Sequence, residues 1–565
     1  MDQENQHNSR ERLLAEFAPS SYADWRRLVE RELGDAVFEQ ALVQRSVEGF
    51  ERQPIYTAAD LAMVPYLDRL PGQSPYLRGN RAHNSWAICQ AITDAEPHQF
   101  NHTARHDLAY GLTMLEITLD AASRIGRDAD HAEAADVGRG GLSLIHLADL
   151  EIALDDIDLA HVPLRMPTNE ICLPPAALLI ALARRRGHTA ALHGSIGFDP
   201  LATLAVAGML QAGLTASYDA LAALTSWAHQ NAPRLATVIV DTGVYHEAGA
   251  DTADELACGL AAAVAHVRAL MARGLPFASI APHMEWQVAL DTQIFSEIAR
   301  LRAARLLWAK VAAAFDGTAA TQRLRIHARS GRRNKSRRDP YVNMLRATLE
   351  AFAAVIGGCD SLTVAAFDEV AREPQDLGRR VARNTQIILA RESHLADVAD
   401  AGGGAYAIET LSDTLARTAW QRFQAIEAAG GLQRALEAGL VQQRIAATAA
   451  SRAADLQQGR SVRVGVNRFA DPQHEPLAAA PVDLQLTERR AHHAHSVRHS
   501  MRHGLDGFLA LTRDQQGAER VDAAAEAAIA GATLGELAAA LYPAHPVASR
   551  ITTPLIPQGV DDVIT

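Results

Sequence analysis

The stretch Thr237-Val-Ile-Val-Asp-Thr-Gly-Val-Tyr-His-Glu-Ala-Gly-Ala-Asp251 decides how this chain is expected to fold. It begins as a short apolar run typical of a buried strand and continues as a polar turn that carries Tyr245 and His246. Thr252-Ala-Asp-Glu255 then opens a long Ala- and Leu-rich helix as a capping box. In α/β proteins, a strand that runs through a loop into a helix is where chemistry is placed, so His246 is the first catalytic candidate.

The same alternation of short apolar runs and longer helical patterns extends from about residue 110 to residue 410. The strand candidates are Met114–Asp120, Val162–Met166, Thr189–Gly194, Thr237–Thr242, Pro276–Ala281, Leu324–Arg329 and Ser361–Ala366, with an eighth expected within Ala396–Ala407. This pattern predicts an α/β fold of the (β/α)8 TIM barrel type. A doubly wound sheet is the competing fold, but no GxGxxG motif follows any of these runs.

The regions around the barrel divide the chain into four predicted parts. Residues 1–80 form an N-terminal helical region and an extended arm, because Leu70-Pro-Gly-Gln-Ser-Pro-Tyr-Leu-Arg-Gly79 is rich in proline and glycine. Residues 81–470 hold the barrel and its trailing helices. Residues 471–485 are a linker rich in proline and alanine, and residues 486–565 form a helical segment and tail.

Composition narrows the class of protein. The net charge of -12 over 565 residues argues against a general nucleic-acid binder. Four widely spaced cysteines without a CxxC motif fit a reducing compartment. The N-terminus lacks an apolar signal core, and the longest apolar run, Leu173 to Ala183, is too short to cross a membrane. These features predict a soluble, cytoplasmic protein with neither nucleic acid nor membrane as a partner.

Two charged or polar clusters stand out. The run 329–338 has six basic residues in ten and is interpreted as a solvated loop at the barrel mouth, with a CoA phosphate clamp or an acidic-partner surface as alternatives. The second cluster is His492, His493, His495, His499 and His503. Residues 495, 499 and 503 share one helical face, but no carboxylate or cysteine is in register, so no metal site is predicted. A polar surface helix lying on a partner is favoured instead.

Several motifs resemble the acyl-CoA-binding half of the methylmalonyl-CoA mutase family. They include Pro75-Tyr-Leu-Arg-Gly79, Asp136-Val-Gly-Arg-Gly140, Glu247-Ala-Gly-Ala-Asp251, Asp339-Pro-Tyr-Val-Asn-Met-Leu-Arg346, Arg383-Asn-Thr-Gln386 and Val464-Gly-Val-Asn467. They cover roughly residues 50–470 in consistent order. The motif Gly197-Phe-Asp-Pro-Leu201 is most similar to the sequence of the family's small (beta) subunits.

The resemblance implies a cofactor that this chain does not hold alone. Family catalysts use adenosylcobalamin to generate a radical that rearranges the carbon skeleton of a thioester inside the barrel. The cobalamin sits on a flavodoxin-like domain, whose Asp-x-His-x-x-Gly histidine binds cobalt. This sequence has no such motif and ends about where that domain would begin. A partner chain is therefore expected to carry adenosylcobalamin.

The family's catalytic positions are largely changed here. No active-site tyrosine occurs among the six residues between Gly79 and Trp86. Gly197 replaces a glutamine that contacts the substrate, and Ala207 replaces the arginine that pairs with the substrate carboxylate. Without that arginine a buried carboxylate would lack its partner, so a dicarboxylic thioester fits poorly.

The next barrel strand departs from the family pattern as well. His283 and Glu285 stand where a CoA-contacting arginine and serine would be. Trp286 and Arg332 are expected to fill the substrate channel.

Four site candidates remain. Tyr76 and Arg78 of the arm, and Ser361 at the start of the seventh predicted strand, match positions that contact substrate or CoA. His246 matches the catalytic histidine only when Tyr-His is aligned; aligned on Glu-Ala-Gly, that position is Val244. A slip of two residues along a strand displaces a side chain by about 6–7 Å. His246 is either a contact to the thioester or a structural hydrogen bonder at the end of the strand.

Three functions are open. The favoured one is a non-catalytic, small-subunit-type component of an adenosylcobalamin-dependent acyl-CoA mutase, an isomerase, that is inactive alone and stabilises a homologous large subunit as a heterodimer. The first alternative is a divergent catalytic barrel that acts on an acyl-CoA together with a separate cobalamin-binding chain. In that case His246, Arg78 and Ser361 would carry the contacts. The second alternative is a free-standing CoA- or metal-binding protein.

Overall fold

Eight parallel strands close into a barrel in the computed structural model, which describes residues 20–471, 477, 483–500, 502, 504–542, 548–559 and 561. The strands are β1 (Ala87–Ile92), β2 (Met114–Ile117), β3 (Leu164–Pro167), β4 (His193–Phe198), β5 (Arg234–Asp241), β6 (Met284–Leu290), β7 (Arg325–Ser330) and β8 (Ser361–Thr363). The ring closes where Ser361 of β8 pairs with Ala87 of β1. The predicted TIM barrel is confirmed.

Helices surround this barrel and continue beyond it. The helices before and between the barrel strands are Tyr22–Leu33, Phe38–Leu42, Pro97–Ala109, Ala121–Arg124, Leu147–Ala153, Leu173–Arg185, Pro200–Ala207, Gly213–Asn231, Gly243–Glu247, Thr252–Met271, Phe277–Ile280, Ile294–Ala314 and Asn343–Ile356. Those after β8 are Asp376–Arg391, Tyr406–Ala428, Leu432–Glu437, Leu440–Gln457, Leu484–His499, Leu505–Asp514, Gly517–Ile529 and Leu534–Leu541. None of these described helices is long and apolar enough to span a bilayer.

Helix Thr252–Met271 follows the opening stretch as predicted. Its N-cap is Asp251, one residue earlier than the predicted capping box, and the Asp251 carboxylate accepts the Asp254 amide N–H at 2.9 Å. The helix is buried along most of its length because it packs against helix Tyr406–Ala428 as well as the barrel. Its Ala-rich sequence lets these neighbours approach closely.

Three predicted strands lie in the wrong place. Ala396–Ala407 contains turns and the start of a helix, so the predicted eighth strand is wrong; the missing strand is β1, which precedes all the candidates. Pro276–Ala281 is also wrong, because it holds a short helix, and β6 follows it. β4 starts at His193 rather than Thr189. The polar side chains of β6 face an unusually polar barrel interior, which hides the apolar signal of a strand.

The N-terminal arm lies at the end of the barrel where the strands begin. The Tyr76 hydroxyl donates to the Ala319 carbonyl at 2.7 Å, and the Asn80 amide donates to the Leu324 carbonyl at 2.6 Å. Both acceptors come just before β7. The arm therefore lies opposite the barrel mouth, which we define as the end where the strands finish.

The C-terminal region packs on the barrel and reaches its mouth. Helix Gly517–Ile529 contacts helices Leu173–Arg185 and Gly213–Asn231. Ser549–Arg550 pairs antiparallel with Met209–Leu210, and the Gln558 N–H donates to the Glu247 carbonyl at 2.6 Å. Segment 548–559 thus crosses the mouth beside β4 and β5. The predicted linker at 471–485 falls largely outside the described residues, and the division into domains stays a prediction.

Candidate functional site

Two of the cavities lined by described residues open at the centre of the barrel mouth. One, of about 320 Å³, is lined by residues that include Arg165, Ala207, Asp241 and Gln287. The other, of about 520 Å³, is lined by residues that include Glu116, Arg329, Arg332, Thr363 and Glu369. Ligands of TIM barrels bind at this end, so these cavities are the candidate site.

Arg165 crosses the barrel axis. Its guanidinium donates to Glu116 of β2 at 2.8 Å and lies 3.5 Å from Glu285 of β6, and it also bonds Gln287. Strands β2 and β6 stand on opposite sides of the ring. All three charged side chains are almost fully buried. The barrel interior is therefore closed by an ion cluster of one guanidinium and two carboxylates, which we call the axial cluster.

More polar side chains extend the axial cluster. The Ser195 hydroxyl donates to Glu285 at 2.9 Å, and His327 lies 4.0 Å from Glu116. The other nitrogen of His327 is 2.8 Å from the Ser361 hydroxyl. Burial, and after it the charge of Arg165, hold the pKa of His327 well below its usual range. Ser361, a predicted CoA contact, is thus the partner of a neutral interior histidine.

The smaller cavity has alanine at position 207, where the family resemblance places an arginine, and its lining also includes the carboxyl group of Asp241. Ala207 is exposed on its wall and offers only a methyl group. Burial, followed by the neighbouring Asp199, raises the pKa of Asp241 to about 6. Asp241 therefore keeps its proton to a higher pH than an ordinary aspartate does. This cavity therefore lacks the arginine at position 207 with which the family resemblance pairs a substrate carboxylate.

His246 lies outside both cavities. It is 1% exposed, and its Nδ1 is 2.9 Å from Glu255. A side chain at position 331 would come within 2.8 Å of its Nε2, so Gly331 closes over the ring. Burial, followed by the charge of Arg333, keeps the pKa of His246 well below its usual range. A neutral, enclosed imidazole at this position serves as a hydrogen-bonding group of the loop.

Arg78 belongs to a second buried ion cluster, under the barrel. It pairs with Asp400 at 2.7 Å and with Glu409 at 2.9 Å, and Arg302 bonds the same two carboxylates. Tyr76 is 3% exposed beside this cluster. The structure therefore does not bring the four candidates together. His246 is near the mouth, Ser361 is inside the barrel, and Tyr76 and Arg78 are at the opposite end.

Replacing Arg78 by methionine is expected to lower the free energy of unfolding by roughly 1–3 kcal/mol, since Arg302 still neutralises the two carboxylates. Chemical denaturation of the purified chain measures this loss. Arg434, an exposed arginine paired with Glu437, provides the matched control, and its change to methionine should have almost no effect. An unchanged stability of Arg78→Met would contradict the structural role.

Sequence analysis did not identify most of the side chains that shape the mouth. Trp286 points away from the interior, against Gly259 of the neighbouring helix, and Arg332 is 56% exposed at the rim, so neither fills the channel. Arg165 fills it instead. The available signal was a single charged residue inside the apolar strands Met114-Leu-Glu-Ile117 and Leu164-Arg-Met-Pro167. A lone charge at a buried strand position indicates a partner across the barrel.

The two polar clusters of the sequence are less exposed than expected. Within the basic run, Asn334 and Ser336 are fully buried and Lys335 pairs with Glu350 at 2.6 Å, so the interpretation as a solvated loop is wrong for these residues. The histidine-rich helix Leu484–His499 packs on its own barrel, where Arg490 pairs with Asp149 at 2.9 Å. His503 lies outside the described residues.

Comparison with known proteins shows which family this chain is similar to. The model of the family described as methylmalonyl-CoA mutase matches residues 45–545. The chain is 32% identical to the methylmalonyl-CoA mutase of Rhizobium meliloti (strain 1021) over 531 residues, which are 92% of this chain and 74% of that protein. It is 35% identical to the methylmalonyl-CoA mutase small subunit of Streptomyces virginiae, covering 83% of this chain and 74% of that protein.

The large subunit from Streptomyces virginiae is similar as well, with 33% identity over 82% of this chain and 64% of that protein. The family model covers most of the chain, and the closed eight-stranded barrel agrees with it. The chain therefore belongs to the methylmalonyl-CoA mutase family.

Proposed function

We propose that this chain is a non-catalytic, small-subunit-type component of an adenosylcobalamin-dependent acyl-CoA mutase of the methylmalonyl-CoA type. In this role it stabilises a homologous large subunit that performs the isomerisation. The observation that carries the proposal is the axial cluster. Arg165, Glu116 and Glu285 occupy the space in which the family resemblance places the thioester. Opening that space would separate buried charges, which is strongly unfavourable.

Neither mouth cavity described above fits a cobalamin whose cobalt is bound by a histidine of its lining. No histidine lines either mouth cavity described above. His246 lies in the turn after β5, near the mouth, but it is enclosed by Gly331 and hydrogen-bonded to Glu255. These features support the proposal that a partner chain carries adenosylcobalamin, and we derive no catalytic step for this chain.

A partner surface is available at the N-terminus. Helix Tyr22–Leu33 has no buried residue, and Leu28 is 50% exposed although it is apolar. Met63 and Leu70, further along the N-terminal region, are more exposed still. Exposed apolar side chains thus recur along this region, and we propose that it contacts the large subunit. Relatives named small subunit and large subunit occur in one organism, which supports a heteromeric complex.

Co-expression with a large subunit of this family from the same organism tests the proposal. The two chains should elute together at equal stoichiometry, and the complex should retain adenosylcobalamin, as measured by its absorbance after gel filtration. This chain alone should retain none. If this chain and a small cobalamin-binding protein together isomerised methylmalonyl-CoA without the large subunit, the alternative of a catalytic barrel would replace the proposal.

A further inference from the structure

A third cavity, of about 260 Å³, lies on the outer rim of the barrel mouth. The loops after β5, β6 and β7 form one side of it, and helix Leu440–Gln457 with residues 461–463 forms the other. Arg333, Arg452 and Arg463 all line it, together with Asp291 and Asp455. We call this cavity the cationic pocket.

The opening stretch of the sequence fixes two of these arginines. The Glu247 carboxylate accepts the backbone N–H groups of Arg332 and Arg333, each at 2.7 Å. The Arg452 guanidinium donates hydrogen bonds to the carbonyls of Gly249 and Ala250, at 2.8 and 2.7 Å. The polar turn that resembles an active-site motif therefore acts here as a frame that orients guanidinium groups.

Positive charge in the cationic pocket exceeds the negative charge. Asp291 serves two arginines, because Arg333 pairs with it at 2.7 Å and Arg463 lies 3.6 Å away. Asp455 is bonded at 2.5 Å by Arg460, which is not part of the lining. Among the residues that the structure describes, no carboxylate lies within 4 Å of the Arg452 guanidinium. Of the three lining guanidinium groups, two thus share the Asp291 carboxylate, and the third, Arg452, has no carboxylate partner among the described residues.

Two further observations indicate that this charge awaits a ligand. The Arg333 Nε is buried and has no hydrogen-bond partner in the described structure. Burial, and then the charge of Arg333, lower the pKa of Arg452 to about 10. Forcing like charges together out of water is costly unless an anion joins them.

We propose that the cationic pocket binds a small, multiply charged anion of the phosphate or diphosphate class. Guanidinium groups match phosphate oxygens through paired hydrogen bonds. Pockets for drug-sized ligands start at about 300 Å³, so this one takes a diphosphate group rather than a whole coenzyme. The group could belong to a free metabolite or to the diphosphate of a CoA ester that extends outwards. Gln558 and Gly559 border the cavity, so a bound anion would also contact the C-terminal segment.

Isothermal titration calorimetry of the full chain with inorganic pyrophosphate tests the proposal. We expect saturable binding, weakened about tenfold or more by Arg452→Gln, since one lost charge-assisted contact costs roughly 1.4 kcal/mol or more. Arg434→Gln, the same change at the exposed Arg434, should leave the affinity unaltered. CoA, titrated in parallel, distinguishes the sources: tighter binding than pyrophosphate identifies a CoA ester, and weaker binding a free anion.

Arg463→Gln guards against misfolding of the Arg452 variant, because Arg463 is 22% exposed and is more easily replaced. It should weaken pyrophosphate binding as well. The absence of saturable heat in the unaltered chain overturns the proposal. A second combination of results also overturns the proposal. In it, Arg463→Gln binds pyrophosphate as tightly as the unaltered chain does, and Arg452→Gln either fails to fold or binds pyrophosphate normally.

Discussion

Replacing Arg165 by methionine is expected to lower the free energy of unfolding by about 3–5 kcal/mol. The change removes the guanidinium that bridges Glu116 and Glu285 in the axial cluster, and both carboxylates are nearly fully buried. Methionine has a similar length, so the loss arises from uncompensated charge rather than from a cavity. Urea denaturation monitored by circular dichroism measures it.

A triple variant provides the control for this explanation. Changing Glu116 and Glu285 to glutamine in the Arg165→Met background removes the unpaired charges and should recover more than half of the lost stability. If the single variant were as stable as the unaltered chain, the barrel interior would be hydrated and open. The axial cluster would then no longer exclude a thioester.

Restoring the family's glutamine at position 197 is expected to prevent correct folding of the barrel. A Cβ atom on Gly197 would lie 1.9 Å from the Thr237 carbonyl oxygen of β5, so even alanine requires the two strands to separate. The pairing of β4 with β5 is irregular between Ser195 and Phe198, where this close approach occurs. We expect Gly197→Gln to lose about 4 kcal/mol or more, measured by thermal unfolding and by the yield of soluble protein.

Ala207→Arg is the matched control, because it also restores a catalytic residue type of the family. Ala207 is exposed on the wall of the smaller mouth cavity, so the change should alter stability by no more than about 0.5 kcal/mol. Normal stability of Gly197→Gln would show that the backbone has kept the shape of a catalytic site. If Gly197→Gln loses stability and Ala207→Arg does not, the site has diverged in its backbone and not merely in its side chains.

The alternation of apolar runs and helical patterns predicted the barrel, because this pattern is averaged over many residues. The run Thr237–Thr242 lies almost wholly within β5, and the helix expected after it begins at Thr252. The arrangement of β6 could not be predicted in this way. Its interior residues Glu285 and Gln287 are polar, whereas Trp286 faces the surrounding helices, so the hydrophobic pattern describes the outer face of the strand.

The site was harder to predict because its residues act across the barrel. Glu116 and Arg165 look like isolated charges until β2 and β3 are placed beside each other and β2 is placed opposite β6. The motif Pro75-Tyr-Leu-Arg-Gly79 resembles the family's arm, but this resemblance does not reveal that Arg78 pairs with Asp400 and Glu409. Such pairings join residues more than 300 positions apart. Local sequence carries no trace of them.

Turnover of the assembled mutase tests the central claim most directly. In a purified complex of this chain with the large subunit, His246→Gln in this chain should leave the isomerisation of methylmalonyl-CoA within about twofold of the unaltered complex. Glutamine can still bond Glu255, so assembly should persist. The histidine of the large subunit's Gly-Tyr-His motif, changed in the same way, is the control that should abolish activity. A fall of about a hundredfold or more with His246→Gln in an intact complex would contradict the claim and make this barrel catalytic.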